Sequence, residues 1–487
     1  MRSEKSAEVV VGHVGRCAEG PNDGKGQSAQ RLEDEMVQKF RIQLELPLEG
    51  LGGTQLTRRS ERASSASLGN EDPGKDSLMA RALRRPNLMR ALKRVRKNKG
   101  SPGIDGMTVG ELPDWLKIHW PRVREQLLAG TYQPTAVRRA TIPKPGGGER
   151  ELGIPTVLDR LIQQALLQVL QPRFDPTFSE HSHGFRPKRS AYGAIREARR
   201  YVQSGKRWVV DVDLEKFFDR VNHDVLMGRL AKRIADKPML KLIRRYLNAG
   251  ILANGMVVER YEGTPQGGPL SPLLANVLLD EVDKELEKRG HAFVRYADDV
   301  RVFVGSKKAG ERVMRSLVRL FASLRLQVNE SKSAVDRAWK RPFLGVAFWV
   351  APGKKVCARV APKALQKMKC RVRQLTRRSR GRSLQEVIDS LRSYLLGWRG
   401  YFRIAETPGK FRELDKWIRH RLRAYQLKQW KRGKTAYPEL VKRGLSPGAA
   451  AKVAGNTRRW WRNSGMRIHI ALPSKVFEGM GLPKLAP

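Results

Sequence analysis

The spacing of apolar positions changes character several times along the chain. Residues 1–75 mix Gly, Ser, Gln and charged residues without a sustained period. Such a segment buries too little apolar surface to offset its ordering entropy and reads as a flexible leader. From Ser77 a helical period sets in over LMARALRRPNLMRALKRVRKNKG, breaks at the Gly/Pro loop SPGIDG and resumes to Leu128, which predicts basic helices. Between 136 and 350, short β-rich runs (AVRRATIP, RWVVDVDL, FVRYADDVRVFV, LRLQVN and FLGVAFWV) alternate with longer apolar helices. That alternation predicts a mixed α/β sheet domain. The best specified helix is LSPLLANVLLDEVDKELEK. Ser271 stands where a cap belongs, Pro272 fits the first helical position, and Leu273, Leu274, Val277, Leu278 and Val282 form one apolar stripe. Beyond 355 the pattern becomes helical and strongly basic.

Charge narrows the function classes. The 487 residues carry 96 Lys and Arg against 48 acids, a formal charge of +48, which self-repulsion opposes unless a polyanion binds. Nucleic acid is the expected partner, and 366–383, with eight Lys or Arg and no acid, is the densest candidate face. Cys17, Cys357 and Cys370 are too few and scattered for a disulfide framework or a zinc site. No signal peptide and no run of about 18 apolar residues is present. The expectation is a cytoplasmic protein, nucleoid-associated through nucleic acid, with no membrane partner.

Two carboxylate clusters carry candidate chemistry. In RWVVDVDLEKFFD, Asp211 and Asp213 share one strand face, and Asp213 lies where the apolar run ends. In FVRYADDVRVFV, two β-rich arms flank Asp298 and Asp299, a hairpin with both acids at its tip. Acids on two strands of so basic a chain invite a hard cation, and oxygen ligands at about 2.0–2.1 Å suit Mg2+, which keeps sites for substrate phosphates. Two such ions would serve nucleotidyl transfer. ATIPKPGGGERELGIP reads as a hairpin whose Lys144 and Arg150 flank a Gly-rich tip, with charges suited to a triphosphate. TPQGGPLSP offers a close backbone approach beside Gln266.

In order, IPKPGGGERELGIP, GFRPKRS, DVDLEKFFD, TPQGGPLSPLLANVLL, YADD, LQVNESKS and FLG resemble the polymerase blocks of group II intron-encoded reverse transcriptases/maturases, and the resemblance runs from about Ser77 to near the C-terminus. It implies an α/β (α+β) right-hand polymerase fold with fingers, palm and a mostly helical maturase thumb. The expected divisions are 76–125, an N-terminal helical extension of the fingers; 126–350, fingers and palm; and 351–487, the thumb with its tail. It selects Asp213, Asp298 and Asp299 as ligands of two Mg2+ ions. Lys144, Arg150 and Gln266 fall on nucleotide-binding positions, and Phe218, five residues after Asp213, would exclude a 2′-hydroxyl.

Nucleic-acid contacts are expected at Arg186 and Lys188 of the GFRPKRS block and at Arg371, Arg373, Arg377, Arg378, Arg380 and Arg382. The implied partners are intron RNA, an RNA template with a DNA primer, deoxynucleoside triphosphates and target DNA. The implied function is RNA-directed DNA synthesis with splicing assistance and retrohoming, and the absence of a Cys/His nuclease module places the chain with the endonuclease-lacking, bacterial type. The alternatives are a retron, diversity-generating or defence-associated reverse transcriptase, or a splicing factor without polymerase activity. Tyr394, Trp398 and Phe402, at i, i+4 and i+8 of SLRSYLLGWRGYFRIAE, read as core packing. Of Trp460 and Trp461 in NTRRWWRNS, one is expected to pack and the other stays open to RNA. His181 and His183 of EHSHGF are joined by no acid or Cys cluster at metal spacing and are expected to serve a loop.

Overall fold

The computed structural model describes residues 77–143, 149–253, 256–258, 261–264, 267–379, 381–456 and 459–486. Lys144, Gln266, Arg380 and the leader call on 1–75 lie outside the described residues, as does the side chain of Arg150. The chain divides into two compact units: one runs up to Leu344 and includes Val350–Val356, and the other comprises Gly345–Trp349 and the chain from Cys357 onward.

The first unit opens on helices α1 (Leu78–Ala82), α2 (Arg85–Asn98) and α3 (Leu112–Ala129). Ser77 caps α1 by accepting from the Ala80 N–H, and Gly130 at φ 66 ends α3 in the left-handed region that glycine tolerates. Strands β1 (Val137–Pro143) and β2 (Glu149–Ile154) pair antiparallel, with Ile142 opposite Arg150. Helix α4 (Val157–Phe174) follows, capped by Thr156, and is buried along most of its length. Its Val157, Leu161 and Ala165 close a small core with Ala91, Val95 and Leu112. Next come α5 (Ala191–Gln203), β3 (Trp208–Val212), α6 (His223–Ala231), α7 (Lys237–Asn248), β4 (Ile251–Ala253) and β5 (Met256–Val258).

The unit closes with α8 (Ser271–Lys288), the hairpin β6 (Ala292–Tyr296) and β7 (Asp299–Val304), α9 (Lys307–Ser323) and β8 (Ala334–Arg337). One sheet has the order β2-β1-β4-β5 and the other β6-β7-β3-β8. In the second, Val210, Val212, Phe293, Val300 and Val302 join the main core with Leu278, Val282, Leu317 and Phe321. Gly310 lets α9 lie against this sheet, since a Cβ there would stand 2.4 Å from Val335 Cγ1.

Two expectations change. Helix α8 starts one residue early, with Leu270 as its N-cap; Ser271 is already helical and Pro272 follows it. LRLQVN forms no strand: Arg325 turns at φ 57, and only Val328 makes a bridge, to Leu214. The fourth strand of the sheet is β8 instead, in register with β3 from Asp211↔Ala334 to Trp208↔Arg337.

The paired strands β9 (Val346–Val350) and β10 (Val356–Val360) belong to the second unit except for Val350 and Val356, and α10 (Pro362–Leu375), α11 (Leu384–Phe402) and α12 (Pro408–Gln429) follow. After these come α13 (Gly433–Lys442), α14 (Pro447–Ala454), α15 (Trp460–Ser464), α16 (Ile468–Ala471) and α17 (Ser474–Gly479). A capping box, Ser383 with Glu386, starts α11. Trp398 and Phe402 are buried with ring centroids 4.8 Å apart, in line with the packing expectation, while Tyr394 is half-buried. Among the described residues, no helix is long and apolar enough to cross a membrane.

Candidate active site

The palm-like sheet brings the two acid-bearing segments to one end. Strands β3 and β7 pair antiparallel, and the last pair is Val212↔Val300. One step beyond it, Asp213 leaves β3 as Asp299 begins β7, so the two acids are neighbours across the strand pair. Tyr296 pairs with Asp299, leaving Ala297 and Asp298 as a two-residue turn. Asp299 is therefore the first strand residue, and only Asp298 occupies the tip.

Ala297 sits at φ 59, a left-handed conformation that costs an L-residue roughly 1 kcal/mol. Two contacts hold it there. The Arg295 Nη1 donates to the Ala297 carbonyl at 2.9 Å, and Gly184 packs so closely that a Cβ would lie 2.1 Å from the Ala297 nitrogen. Arg295 is fully buried; its Nη2 lies 2.5 Å from Asp283 Oδ2 and its Nη1 2.8 Å from Asn276 Oδ1. Asn276 in turn donates to the Gly184 carbonyl at 3.0 Å. The apolar face of α8 thus carries a polar brace for the acidic turn. Sequence reading missed it, although an Arg inside FVRYA and an Asn inside LLANVLL were the visible signals.

The acids differ in their surroundings. Asp211 is buried between Arg301, 3.1 Å away, and Arg341, whose Nε donates to it at 2.6 Å. Both of its oxygens are therefore engaged by guanidinium groups, which keeps it from serving a cation. Asp213 is half-exposed, with the Lys332 ammonium 3.4 Å from Oδ2 and its own N–H donating to Ser333 Oγ. Desolvation pushes the Asp299 carboxyl up to about 6; Arg301 opposes this, while Asp211 and Asp298 repel the charge further. An ammonium beside one acid and mutual repulsion at another fit a hard cation bound between them. Among the described residues, no three His, Cys, Asp or Glu side chains already form a closed cage, and Mg2+ needs none, since it binds through one or two carboxylates plus substrate phosphates.

Of the expected nucleotide-binding residues, only Phe218 lies wholly among the described residues. Phe218 is half-buried in a tight turn after Asp213, and its carbonyl accepts from the Thr264 N–H at 2.6 Å. Gly263, at φ 89, lies against Asp219, where a Cβ would come within 2.8 Å of its carbonyl oxygen. A Cβ on Gly267 would stand 2.5 Å from the Gly153 carbonyl of β2, the strand that carries Arg150. Gly263 and Gly267 thus let protein backbones approach closely on either side of residues 264–266.

Arg186 is corrected. It is buried, donates to Asp175 Oδ1 at 2.8 Å and to the Asp175 and Ser182 carbonyls, and braces its loop instead of facing nucleic acid. Lys188 is exposed. The expectation that no acid joins the histidines is also corrected, because Glu197 of α5 reaches both: His181 Nδ1 at 2.6 Å and His183 Nε2 at 2.7 Å. Burial alone would raise Glu197, but hydrogen bonds with His181, His183 and Tyr201 outweigh it and hold the carboxyl at about 2. A depressed acid stabilises the fold above its unfolded value, and this contribution fades as pH falls from about 4.5 toward 2. Glu197→Gln is expected to lower the unfolding free energy, measured by urea denaturation, by on the order of 1–2 kcal/mol at pH 6. The gap to the parent should narrow at pH 3; a gap independent of pH contradicts the assignment.

Residues 142–348 match the family described as "Reverse transcriptase (RNA-dependent DNA polymerase)", and residues 365–444 match the "Group II intron, maturase-specific domain". Protein YkfC of Escherichia coli (strain K12) is 34% identical over 278 residues, covering 49% of this chain and 73% of that one. The chain belongs to the group II intron reverse transcriptases/maturases. Group II intron-encoded protein LtrA of Lactococcus lactis subsp. cremoris is 39% identical over 228 residues, 46% of this chain and 37% of that one. The Putative COX1/OXI3 intron 1 protein of Saccharomyces cerevisiae is 27% identical over 379 residues, 66% of this chain and 45% of that one. The matched region spans less than half the length of those two relatives. The reverse transcriptase domain makes members of this family RNA-directed DNA polymerases and implies use of a divalent metal, the maturase domain adds assistance to splicing, and both imply nucleic-acid partners.

In the maturase region Arg373, Arg377 and Arg378 are exposed, whereas Arg371 is half-buried with its Nη1 donating to Gln374. Arg382 is corrected to a bracing role, since its Nη2 donates to the Glu386 carbonyl at 2.7 Å and to Ser390 Oγ at 2.5 Å. Trp460 is half-buried and Trp461 is 45% exposed, which answers the question of which ring packs.

Proposed function

We propose that this chain copies intron RNA into DNA at the end of the β6-β7-β3-β8 sheet, with Asp213, Asp298 and Asp299 holding two Mg2+ ions. The observation that carries the reading is the register of β3 against β7, which makes Asp213 and Asp299 neighbours beside the Asp298 turn. When bound, the ions supply activation of the primer 3′-hydroxyl and neutralisation of the departing pyrophosphate. The protein's own share is placement. Arg295 and Gly184 fix the turn, Arg301 and Arg341 keep Asp211 out of the ligand set, and Phe218 lies beside the incoming sugar. Lys144, Arg150 and Gln266 contact the deoxynucleoside triphosphate and the nascent pair. A DNA strand supplied from elsewhere, for example at a replication fork in the target DNA, serves as the primer during retrohoming, and the basic surface binds intron RNA in the cytoplasm, near the nucleoid, to assist splicing.

Purified chain with Mg2+, a primed RNA template and deoxynucleotides is expected to yield cDNA; no product under these conditions contradicts the reading. Phe218→Ala is expected to admit ribonucleotides, lowering discrimination by roughly 10–100-fold as the clash with the 2′-hydroxyl disappears. Unchanged discrimination in single-nucleotide incorporation would remove Phe218 from this role.

A further inference from the structure

One face of the second unit combines cations and indole rings in a pattern that the polymerase reading does not use. The Arg373 and Arg421 guanidinium carbons lie 5.7 and 5.5 Å from the Trp417 ring centroid. Arg378 and Lys428 flank Trp460, at 5.2 and 4.1 Å. Trp417, Arg421 and Lys428 recur on one side of α12 at helical spacing. Among the described residues none of these four cations has an acidic partner within ion-pair distance. Arg421 is held down at about 10, first by burial and then by Arg373 and Arg378. Positive charge is therefore concentrated here against its own repulsion, and the rings hold the guanidinium groups in place.

Trp461 differs from its neighbours. Its ring stacks on His420 at 4.0 Å with 9° between the planes, and His420 Nε2 lies 3.0 Å from the Trp461 carbonyl oxygen. No cation lies over it among the described residues, and it is 45% exposed. It is an indole backed on one side, braced by its own backbone and presented to solvent beside a patch of uncompensated charge.

We propose that this face binds an unpaired RNA strand, with a base stacked on Trp461 and backbone phosphates held by Arg373, Arg378 and Arg421. A ring platform needs an open base face, which a single strand offers and an A-form duplex hides within its stack. The choice of RNA rests on the proposed function; the stacking geometry does not.

The test uses the full chain in EDTA, where no synthesis occurs, with a fluorescent unstructured 12-nucleotide RNA and the same sequence as a duplex. Trp461→Ala is expected to weaken single-strand binding roughly tenfold. Trp461→Phe, which keeps a stacking face, should stay within about threefold of the parent, and duplex affinity should hold in both. Arg378→Gln should weaken strand binding and flatten its salt dependence. Equal single-strand affinity for the parent and Trp461→Ala would overturn the proposal, as would equal losses for strand and duplex. Primer extension by the parent is measured separately: its failure would count against the polymerase reading, while a Trp461-dependent strand preference would still support this surface.

Discussion

Asp213→Asn is expected to cut primer extension by at least about a thousandfold while leaving the fold intact. The substitution keeps the shape and one hydrogen-bonding oxygen and removes the charge that a divalent ion requires. A bound metal contributes several kcal/mol of transition-state stabilisation, and each 1.36 kcal/mol is a factor of ten in rate. Stability should change by less than about 1 kcal/mol, because among the described residues the Asp213 carboxylate has an ion pair only with Lys332, whose side chain is 68% exposed. RNA affinity should hold, since a negative charge is removed from a strongly basic protein. Steady-state primer extension together with filter binding separates these effects. A variant that extends primers within tenfold of the parent takes Asp213 out of the site.

Arg295→Ala is expected to be the most destabilising single change, about 3–5 kcal/mol. It would leave Asp283, fully buried, as an uncompensated charge, strip Asn276 Oδ1 of its donor and free the Ala297 carbonyl. The double variant Arg295→Met with Asp283→Leu should regain most of that stability, because a well-packed apolar pair is often no worse than a buried ion pair. It should not regain primer extension, since the Arg295 donor that holds the Ala297 carbonyl in the left-handed turn before Asp298 is then gone. Urea unfolding and primer extension on both variants test the two halves. A single variant as stable as the parent, or a double variant with full activity, would show that the brace does not position the acids.

The sheet strands and the acidic hairpin were legible because each is a short apolar run interrupted by polar residues at its functional end. LRLQVN shows where this fails. Its β-propensity is real, but the left-handed turn at Arg325 and the register with β3 assign the edge to Ala334–Arg337, and local sequence does not encode which segment pairs. Ser271 was misplaced because capping depends on backbone angles one residue earlier. Arg186 looked like a surface cation, and only the tertiary fold brings Asp175 and two carbonyls around it. Glu197 stands 14 residues after His183 in the chain, on α5, so no local spacing announced it. Buried charges inside apolar runs, Arg295 and Asp283, were the readable sign of the brace, since such groups persist only when paired.

Fe2+ in place of Mg2+, with ascorbate and peroxide, generates hydroxyl radicals that cut the backbone beside the metal. If the three aspartates share one divalent site, cleavage should occur both near residue 213 and near residues 298–299, and Asp213→Asn should abolish both sets of cuts. Cleavage at only one of these positions, or persistence of both in the variant, would contradict a shared site.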